Sequence, residues 1–178
     1  MPFDWKESEL GQIVEIQSGK RPTIKQSAKT NDVCIPLVGA ASVMGYTNKA
    51  NYNNKILITG RVGTHGVIQR FSSPCWASDN TLVIESKYYE YVYQILQGID
   101  YKNLNRGSTQ PLITQSDLKK TSIILPTDDI LQKFENIVCG LMAVNEQNQV
   151  ENSHLSELRD ALLPKLMNGE IDVSNVRI

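Results

Sequence analysis

The organisation of the chain is set by the stretch TDDILQKFENIVCGLMAVNEQNQVENSHLSELRDALL, residues 127–163. It contains no proline and a single glycine, Gly140, and Thr127 precedes two acidic residues that suit the positive end of a helix dipole. Residues spaced by seven, each with a companion three positions later, form a seam. The members of this seam are Phe134, Ile137, Leu141, Val144, Asn148, Glu151, Leu155, Leu158 and Leu162. The pattern predicts one helix of about 35 residues, roughly 50 Å long. Pro164 should kink or end this helix, and Asn168-Gly169 is a second stop signal.

This seam has two interpretations. It packs against the chain's own domain, or it contacts a helix of a second copy or of another protein. Its middle is polar, because Asn148 and Glu151 stand there. A polar middle is tolerated better in a two-helix contact that must keep one register than in a buried core. We therefore favour the contact between molecules and expect a homodimer.

The first 126 residues predict short strands separated by turns. Runs rich in β-branched residues cover residues 13–16, 33–38, 56–59, 66–70, 81–84 and 121–125. One helix interrupts them, since Tyr88, Val92 and Leu96 follow a helical spacing and Gly98 suits a C-terminal cap. Glycines 60, 63 and 66 permit a tight turn with positive φ. The expected fold is α+β, with a curved β-rich domain over residues 1–126 and a long coiled-coil-like helix with a tail over residues 127–178.

Charge is unevenly distributed, although the net charge of the chain is only −1. Residues 20–70 hold eight Lys and Arg residues against one acidic residue, Asp32. This segment is a candidate surface for a polyanion, whereas the acidic C-terminal part is not. Lysines and arginines suit phosphate contacts, and Asn, Gln, Thr and Arg side chains suit the edges of bases. The candidate DNA-binding residues are Lys20, Arg21, Lys25, Lys29, Lys49, Asn51, Asn53, Asn54, Lys55, Arg61, Thr64, His65 and Arg70. A solvated charged face is the alternative.

Composition also excludes several classes of protein. No apolar run reaches the ~18 residues of a membrane span, and the first residues lack the pattern of a secretory signal, so we expect a cytoplasmic protein. The three cysteines, Cys34, Cys75 and Cys139, are far apart, and a disulfide framework or a structural zinc site is not expected.

A catalytic site is hard to build from this sequence. Three candidates, His65, Cys75 and Asp79, lie within fifteen residues and could form the Cys–His–Asp set of a small hydrolase. Structural roles are favoured for them, because His65 lies in a glycine-rich turn and Cys75 lies between Pro74 and Trp76. Neither a phosphate-binding loop nor a dinucleotide fingerprint is present. We expect no catalytic residue, no metal and no cofactor in this chain.

Taken together, the motifs resemble the specificity (S) subunits of type I DNA restriction–modification systems. The opening of that family is matched by Trp5, Leu10-Gly11-Gln12-Ile13 and Gly19. Its middle is matched by Ile35-Pro36-Leu37-Val38, Gly60-Arg61-Val62-Gly63 and Trp76-Ala77-Ser78-Asp79-Asn80. Later matches are Gly107-Ser108-Thr109-Gln110-Pro111-Leu112-Ile113, Leu118, Ile123-Ile124-Leu125-Pro126 and Gln132. The stretch from Leu158 to Glu170 is similar to the closing signature of the family.

The resemblance implies a non-catalytic protein that selects double-stranded DNA. It implies methyltransferase (M) subunits that bind S-adenosylmethionine and methylate adenine, and a nuclease–translocase (R) subunit that joins for cleavage. Familiar S subunits carry two recognition units in tandem, whereas this chain carries one, which predicts a half-subunit that reads half of a bipartite site, or a truncated cassette. The alternative from the residues alone is an adaptor that binds protein or RNA and dimerises through its C-terminal helix.

Overall fold

The computed structural model describes residues 5–104 and 112–171, and it confirms the α+β class. The strands are β1 (Lys6–Glu9), β2 (Glu15–Ser18), β3 (Ile35–Val38), β4 (Val43–Thr47), β5 (Ile56–Gly60), β6 (Gln69–Phe71), β7 (Trp76–Ala77), β8 (Thr81–Glu85) and β9 (Ser122–Leu125). The helices are α1 (Tyr89–Gly98), α2 (Tyr101–Leu104), α3 (Gln115–Lys119) and α4 (Asp128–Met167). A short 3-10 helix covers Leu10–Gln12.

Three sheets organise the strands. The four-stranded sheet has the order β2-β8-β5-β6 and is antiparallel throughout. The three-stranded sheet has the order β4-β3-β7, in which β3 is antiparallel to β4 and parallel to β7. Strands β1 and β9 form an antiparallel pair.

The two central strands of the four-stranded sheet, β5 and β8, are buried on both faces. Side chains alternate between the faces of a strand, so Leu82 of β8 packs in a cluster that includes Val92 of α1. Its neighbour Val83 packs in a second cluster with Val38 and Ala77 of the three-stranded sheet. Covering both faces explains why β5 and β8 are nearly continuous apolar runs, each core aliphatic side chain contributing about 1.5–3 kcal/mol on burial.

Two carboxylates fasten the first turns of α4 to α1. The Tyr88 hydroxyl donates to Asp128 Oδ1 at 2.6 Å. The Glu135 carboxylate accepts from the backbone N–H groups of Glu90 and Tyr91 at 3.1 and 2.8 Å. These N–H groups have no acceptor within their own helix, so Glu135 satisfies them as a cap does and places a negative charge at the positive end of α1.

The compact units of the chain divide after Glu135, whereas the sequence placed the boundary after Pro126. The first turns of α4 therefore belong to the unit that holds the sheets. Phe134, which the sequence assigned to the interface seam, stacks edge-on to Tyr91 with ring centroids 6.0 Å apart. This intradomain contact covers one side of the half-buried Phe134, and its place in the interface seam stays a prediction.

The second unit, Asn136–Ile178, holds the rest of α4. Its seam is open to solvent in the single chain, since the apolar members after Phe134 are between 37% and 66% exposed. They are Ile137, Leu141, Val144, Leu155, Leu158 and Leu162. Asn148 and Glu151 are also exposed.

Of the two predicted stops, Pro164 does not end α4. Pro164 lies inside the helix, which continues to Met167. The chain turns away from the helix at Gly169, two residues later, where φ is +74° and left-handed. The Gly169 N–H donates to the Leu166 carbonyl at 3.2 Å and the Glu170 N–H donates to the Lys165 carbonyl at 2.9 Å, a Schellman motif. The second predicted stop therefore ends the helix.

Several other boundaries differ from expectation. The strand expected at 13–16 starts at Glu15, because Ile13 caps the 3-10 helix in the αR conformation. The strand expected at 66–70 starts at Gln69, since the left-handed Gly66 still belongs to the turn. Gly98 is the last residue of α1 and not a left-handed cap. Sequence missed β1, β4 and β7, which are polar, contain glycine or span only two residues.

Candidate nucleic-acid interface

Three strand ends meet at one edge of the four-stranded sheet. Strand pairing sets Ser18 opposite Leu82 and Gly60 opposite Thr81. The carboxyl ends of β2 and β5 therefore flank the amino end of β8. We name this edge, formed by residues 18–21, 60–65 and 78–81, the basic edge, because Lys20, Arg21 and Arg61 lie on it.

Backbone hydrogen bonds lock these segments together. The Gly19 N–H donates to the Thr81 carbonyl at 3.1 Å, and the Lys20 N–H donates to the Ala77 carbonyl at 2.9 Å. On the other side of the turn, the Arg61 N–H donates to the Asn80 carbonyl at 2.8 Å. The cations thus stand on loops whose backbone is fixed by a sheet, the arrangement in which loops commonly bind ligands.

Glycine is required where these segments cross. A Cβ on Gly19 would lie 2.1 Å from the Ser78 carbonyl oxygen, and a Cβ on Gly60 would lie 1.9 Å from the Thr64 carbonyl oxygen. Gly63 and Gly66 have φ of +83° and +81°, so the turn takes the left-handed conformations expected of it. Gly60 differs, because close approach and not a positive φ excludes a side chain there.

The cations of residues 20–29 reach solvent. Lys20, Arg21, Lys25 and Lys29 are exposed. Gln26 holds the middle of the segment, pairing its backbone with Tyr46 through hydrogen bonds of 3.0 and 2.8 Å. Four exposed cations on a segment fixed at its start and middle can contact a phosphate backbone without ordering the whole segment on binding.

Arg70 is not available to a ligand, which corrects the sequence assignment. Its guanidinium binds Glu90 through two nitrogens at 2.5 and 2.9 Å. It also lies over the rings of Tyr89 and Tyr93, 4.9 and 4.7 Å from their centroids. The Arg70 and Glu90 side chains are 13% and 3% exposed, so this pair belongs to the interior.

Asn51 also has a structural task, and we remove it from the predicted DNA set. Its amide nitrogen donates to the Ala77 carbonyl at 3.1 Å, and its amide oxygen accepts from the Ala77 N–H at 2.9 Å. The side chain thereby acts as a neighbouring strand for β7.

The remaining predicted residues are scattered. Asn54 and Lys55 lie at the opposite end of the four-stranded sheet, where Asn54 Nδ2 donates to Glu85 Oε2 at 2.7 Å. A cleft of about 820 Å³ is there, lined by side chains of both signs, among them Glu15, Lys55 and Glu85. Such mixed lining does not suit a polyanion. Lys49 and Asn53 are exposed, and no described side-chain contact ties them to the basic edge.

Within the turn at Gly63, Thr64 is exposed and His65 is half-buried. His65 Nδ1 donates to the Gly60 carbonyl at 3.1 Å. Its Nε2 is buried and has no partner among the residues that the structure describes. Thr64 is therefore the residue of the two whose side chain reaches solvent, and His65 supports the turn.

The comparison with protein families gives a match over most of the chain. Residues 2–159 match the family described as the type I restriction modification DNA specificity domain. The chain belongs to this family. Because the match covers most of the chain, it includes both the basic edge and the larger part of α4.

Relatives of this specificity domain are longer than the chain. It is 28% identical to the type I restriction enzyme MjaIX specificity subunit of Methanocaldococcus jannaschii, over 99% of this chain and 46% of that protein. It is 26% identical to the EcoDI specificity subunit of Escherichia coli, over 96% of this chain and 39% of that protein. The chain therefore spans less than half the length of these relatives.

Solved structures show the same fold. The S subunit of a type I restriction–modification system from M. genitalium superposes with a TM-score of 0.72 at 15% identity, over 93% of this chain and 46% of that chain. A chain from a structure described as the basis of complex assembly and conformational transition of the type I R-M system gives a TM-score of 0.53 at 18% identity, again over 93% and 46%.

The structure argues against the hydrolase alternative. Cys75 is buried, and burial raises the pKa of its thiol to about 11, so the thiol stays protonated at neutral pH and is a poor nucleophile. Asp79 pairs with Arg21 at 3.2 Å.

Over residues 5–104 and 112–171, no group of three or more His, Cys, Asp and Glu side chains is arranged to hold a metal ion. Nor is any helix in these ranges both long and apolar enough to cross a membrane.

Sequence reasoning missed one feature of the basic edge. The turn Ser78–Thr81 lies between the other two segments, and its central side chains, Asp79 and Asn80, were not among the candidate DNA-binding residues. The available signal was a pair of short polar side chains between two strand-forming runs. Its position became evident only when β8 paired with both β2 and β5.

Proposed function

We propose that this specificity domain binds double-stranded DNA in a sequence-specific way and recognises one half of a bipartite site for a type I restriction–modification system. The observation that carries the proposal is the basic edge, where three strand ends meet on a locked backbone that presents the exposed Lys20 and Arg21 and the half-buried Arg61. Cations fixed in this way contact phosphates and set the register in which neighbouring side chains meet the bases. Membership of the family supports the same conclusion.

The helix α4 supplies the protein contacts in this proposal. Its apolar seam from Ile137 to Leu162 is exposed in the single chain, and covering such positions in a coiled coil stabilises an assembly. We propose that two copies pair through this seam in antiparallel fashion, so that the polar middles at Asn148 and Glu151 meet. The segments that precede the two helices then lie at opposite ends of the pair, and a two-fold pair reads a symmetric, interrupted site.

The chemistry belongs to other subunits in this account. A methyltransferase subunit docks on the specificity domain, binds S-adenosylmethionine and methylates adenine, and the nuclease subunit joins through that complex. The chain itself supplies recognition and positioning, which places it in the bacterial or archaeal cytoplasm with the DNA.

Methylated-site mapping tests the recognition role. Methyltransferase subunits of a type I system that lacks its own specificity subunit are combined with this chain, and methylated adenines are located in genomic DNA. We expect methylation at one interrupted sequence motif, and none from the chain alone. Methylation that is unchanged when this chain is left out would contradict the proposal.

Oligomeric state tests the role of the seam. Replacing Leu141 and Leu155 with Asp places charges on the seam, so we expect light scattering to report a monomer where the wild-type chain is a dimer, with unchanged circular dichroism of the sheets. The matched control, Gln149→Asp with Ser153→Asp, puts the same charges outside the seam and should remain a dimer. A monomeric wild-type chain, with and without methyltransferase subunits, would contradict homodimerisation.

A further inference from the structure

An acidic side chain lies at the centre of the basic edge. Asp79 precedes β8, with Lys20 and Arg21 on one side of its turn and Arg61 on the other. Asn80 follows it and is exposed. A carboxylate on a surface for a polyanion is repelled by phosphates, so on such a surface it needs a cation or a hydrogen-bond donor as its partner.

The turn that carries Asp79 is held from both sheets. The Ser78 N–H donates to the Val38 carbonyl at 3.0 Å, which ties the turn to the three-stranded sheet. The Thr81 hydroxyl donates to the Ser78 carbonyl at 2.7 Å and closes the turn from within. The Asn80 carbonyl accepts from the Arg61 N–H at 2.8 Å. The backbone is therefore fixed while the side chains of Asp79 and Asn80 remain at the surface, as a preorganised site requires.

The partner of Asp79 in the free chain is easily exchanged. Arg21 Nε lies 3.2 Å from Asp79 Oδ2, and the two side chains are 85% and 40% exposed. Exposed ion pairs contribute little stability, because water solvates both charges when they separate. Arg21 can therefore turn to a phosphate, and the carboxylate is then free to accept a different donor.

Base edges in the major groove offer such donors. Asp and Glu accept a hydrogen bond from the N4 amino group of cytosine, and Asn pairs with the N6 and N7 positions of adenine. We propose that Asp79 is a base-reading residue, which accepts a hydrogen bond from the exocyclic amine of a cytosine while Arg21 binds the DNA backbone, and that Asn80 reads the neighbouring base pair. This inference rests on the proposed DNA-binding function and names the side chains that give it sequence preference.

Selection from a duplex library with a randomised core tests the inference. The purified full chain selects its preferred sequence, and affinities for that duplex and for a random duplex are then measured. Asp79→Ala should lower affinity for the preferred duplex by roughly 5- to 150-fold, without lowering affinity for the random duplex, and should remove the preference at one C·G pair. Asp79→Asn, which keeps the size of the side chain, should move that preference from cytosine towards adenine.

Asp32→Ala is the control for charge alone, because it removes one negative charge at an exposed position of the basic stretch 20–70 that lies outside the basic edge. It should leave the preferred base at every position unchanged. If Asp79→Ala raises affinity for both duplexes by the same factor, as Asp32→Ala would, Asp79 acts only through its charge and the inference is wrong. If the wild-type chain selects no sequence, the proposed function fails as well, which distinguishes the two failures.

Discussion

The two ends of the four-stranded sheet use their charged side chains in different ways. At the basic edge, Lys20 and Arg21 are exposed on segments fixed by backbone hydrogen bonds. At the opposite end, Glu15 lies directly across from Glu85, which accepts from Asn54. Antiparallel pairing produces this division, because it sends alternate strand connections to opposite ends. One continuous basic stretch of sequence is thereby split between surfaces with different tasks.

A third location, the α1 face of the sheet, shows what happens to a cation that is buried. Arg70 is enclosed by Glu90 and two tyrosine rings, whereas Arg21 is 85% exposed. The same residue type therefore supports the fold in one place and can meet a ligand in the other. Burial and not residue type decides between the two roles.

The largest effect is expected inside the domain. Arg70→Ala leaves the Glu90 carboxylate buried without its bidentate partner, which should lower the free energy of unfolding by about 3–5 kcal/mol. Urea denaturation measures this change. Arg21→Ala is the exposed counterpart and should alter stability by less than about 0.5 kcal/mol. A stable Arg70→Ala protein that no longer binds DNA would reverse the roles assigned to the two arginines.

An intermediate effect is expected at the crossing of the basic edge. In Gly60→Ala the new Cβ meets the Thr64 carbonyl oxygen and Ala40, so the turn must shift, at a cost of about 1–3 kcal/mol. Thermal unfolding and DNA selectivity should both report the change. Gly98→Ala is the control, since no atom lies within 4 Å of its Cβ position in α1 and it should stabilise the protein by about 0.5–1 kcal/mol. Equal behaviour of the two variants would show that the crossing is not tightly packed.

The smallest effect is expected at the opposite end of the sheet. Asn54→Ala removes an exposed hydrogen bond to Glu85, and stability should change by about 0.5 kcal/mol or less. DNA affinity and sequence preference should stay at the wild-type values in a fluorescence anisotropy titration. Loss of DNA binding by a folded Asn54→Ala protein would mean that the DNA surface lies at the opposite end of the sheet from the basic edge.

Sequence patterns predicted what depends on local periodicity. The long helix and the cores of β5 and β8 were found because heptads and β-branched runs are visible along the chain. The polar β1 was missed, because its sequence, Lys-Glu-Ser-Glu, has no apolar alternation and its pairing with β9 spans more than a hundred residues. The predicted stop at Asn168-Gly169 ends α4 through the hydrogen bonds of its Schellman motif, whereas the helix continues past Pro164.

The sequence predicted which residue types the candidate site contains, but not which of these residues share a surface. A basic segment is evident from the charges of residues 20–70, yet strand pairing decides which of its members share an edge. The sequence predicted that Arg70 and Asn51 bind a ligand, whereas both side chains make structural hydrogen bonds. The sequence offered Asp79 as a member of a catalytic set, whereas strand pairing places it beside the cations of the basic edge.

The salt dependence of DNA binding tests the central claim most directly. The wild-type chain is compared with an edge variant, in which Lys20, Arg21 and Arg61 are alanine, and with an opposite-end variant, in which Lys55 and Lys87 are alanine. For the edge variant, the slope of log affinity against log salt concentration should become shallower by about 0.9 for each phosphate that the variant no longer binds. The opposite-end variant should keep the wild-type slope. A wild-type slope in the edge variant, or a shallower slope in the opposite-end variant alone, would contradict the assignment of the basic edge as the DNA surface.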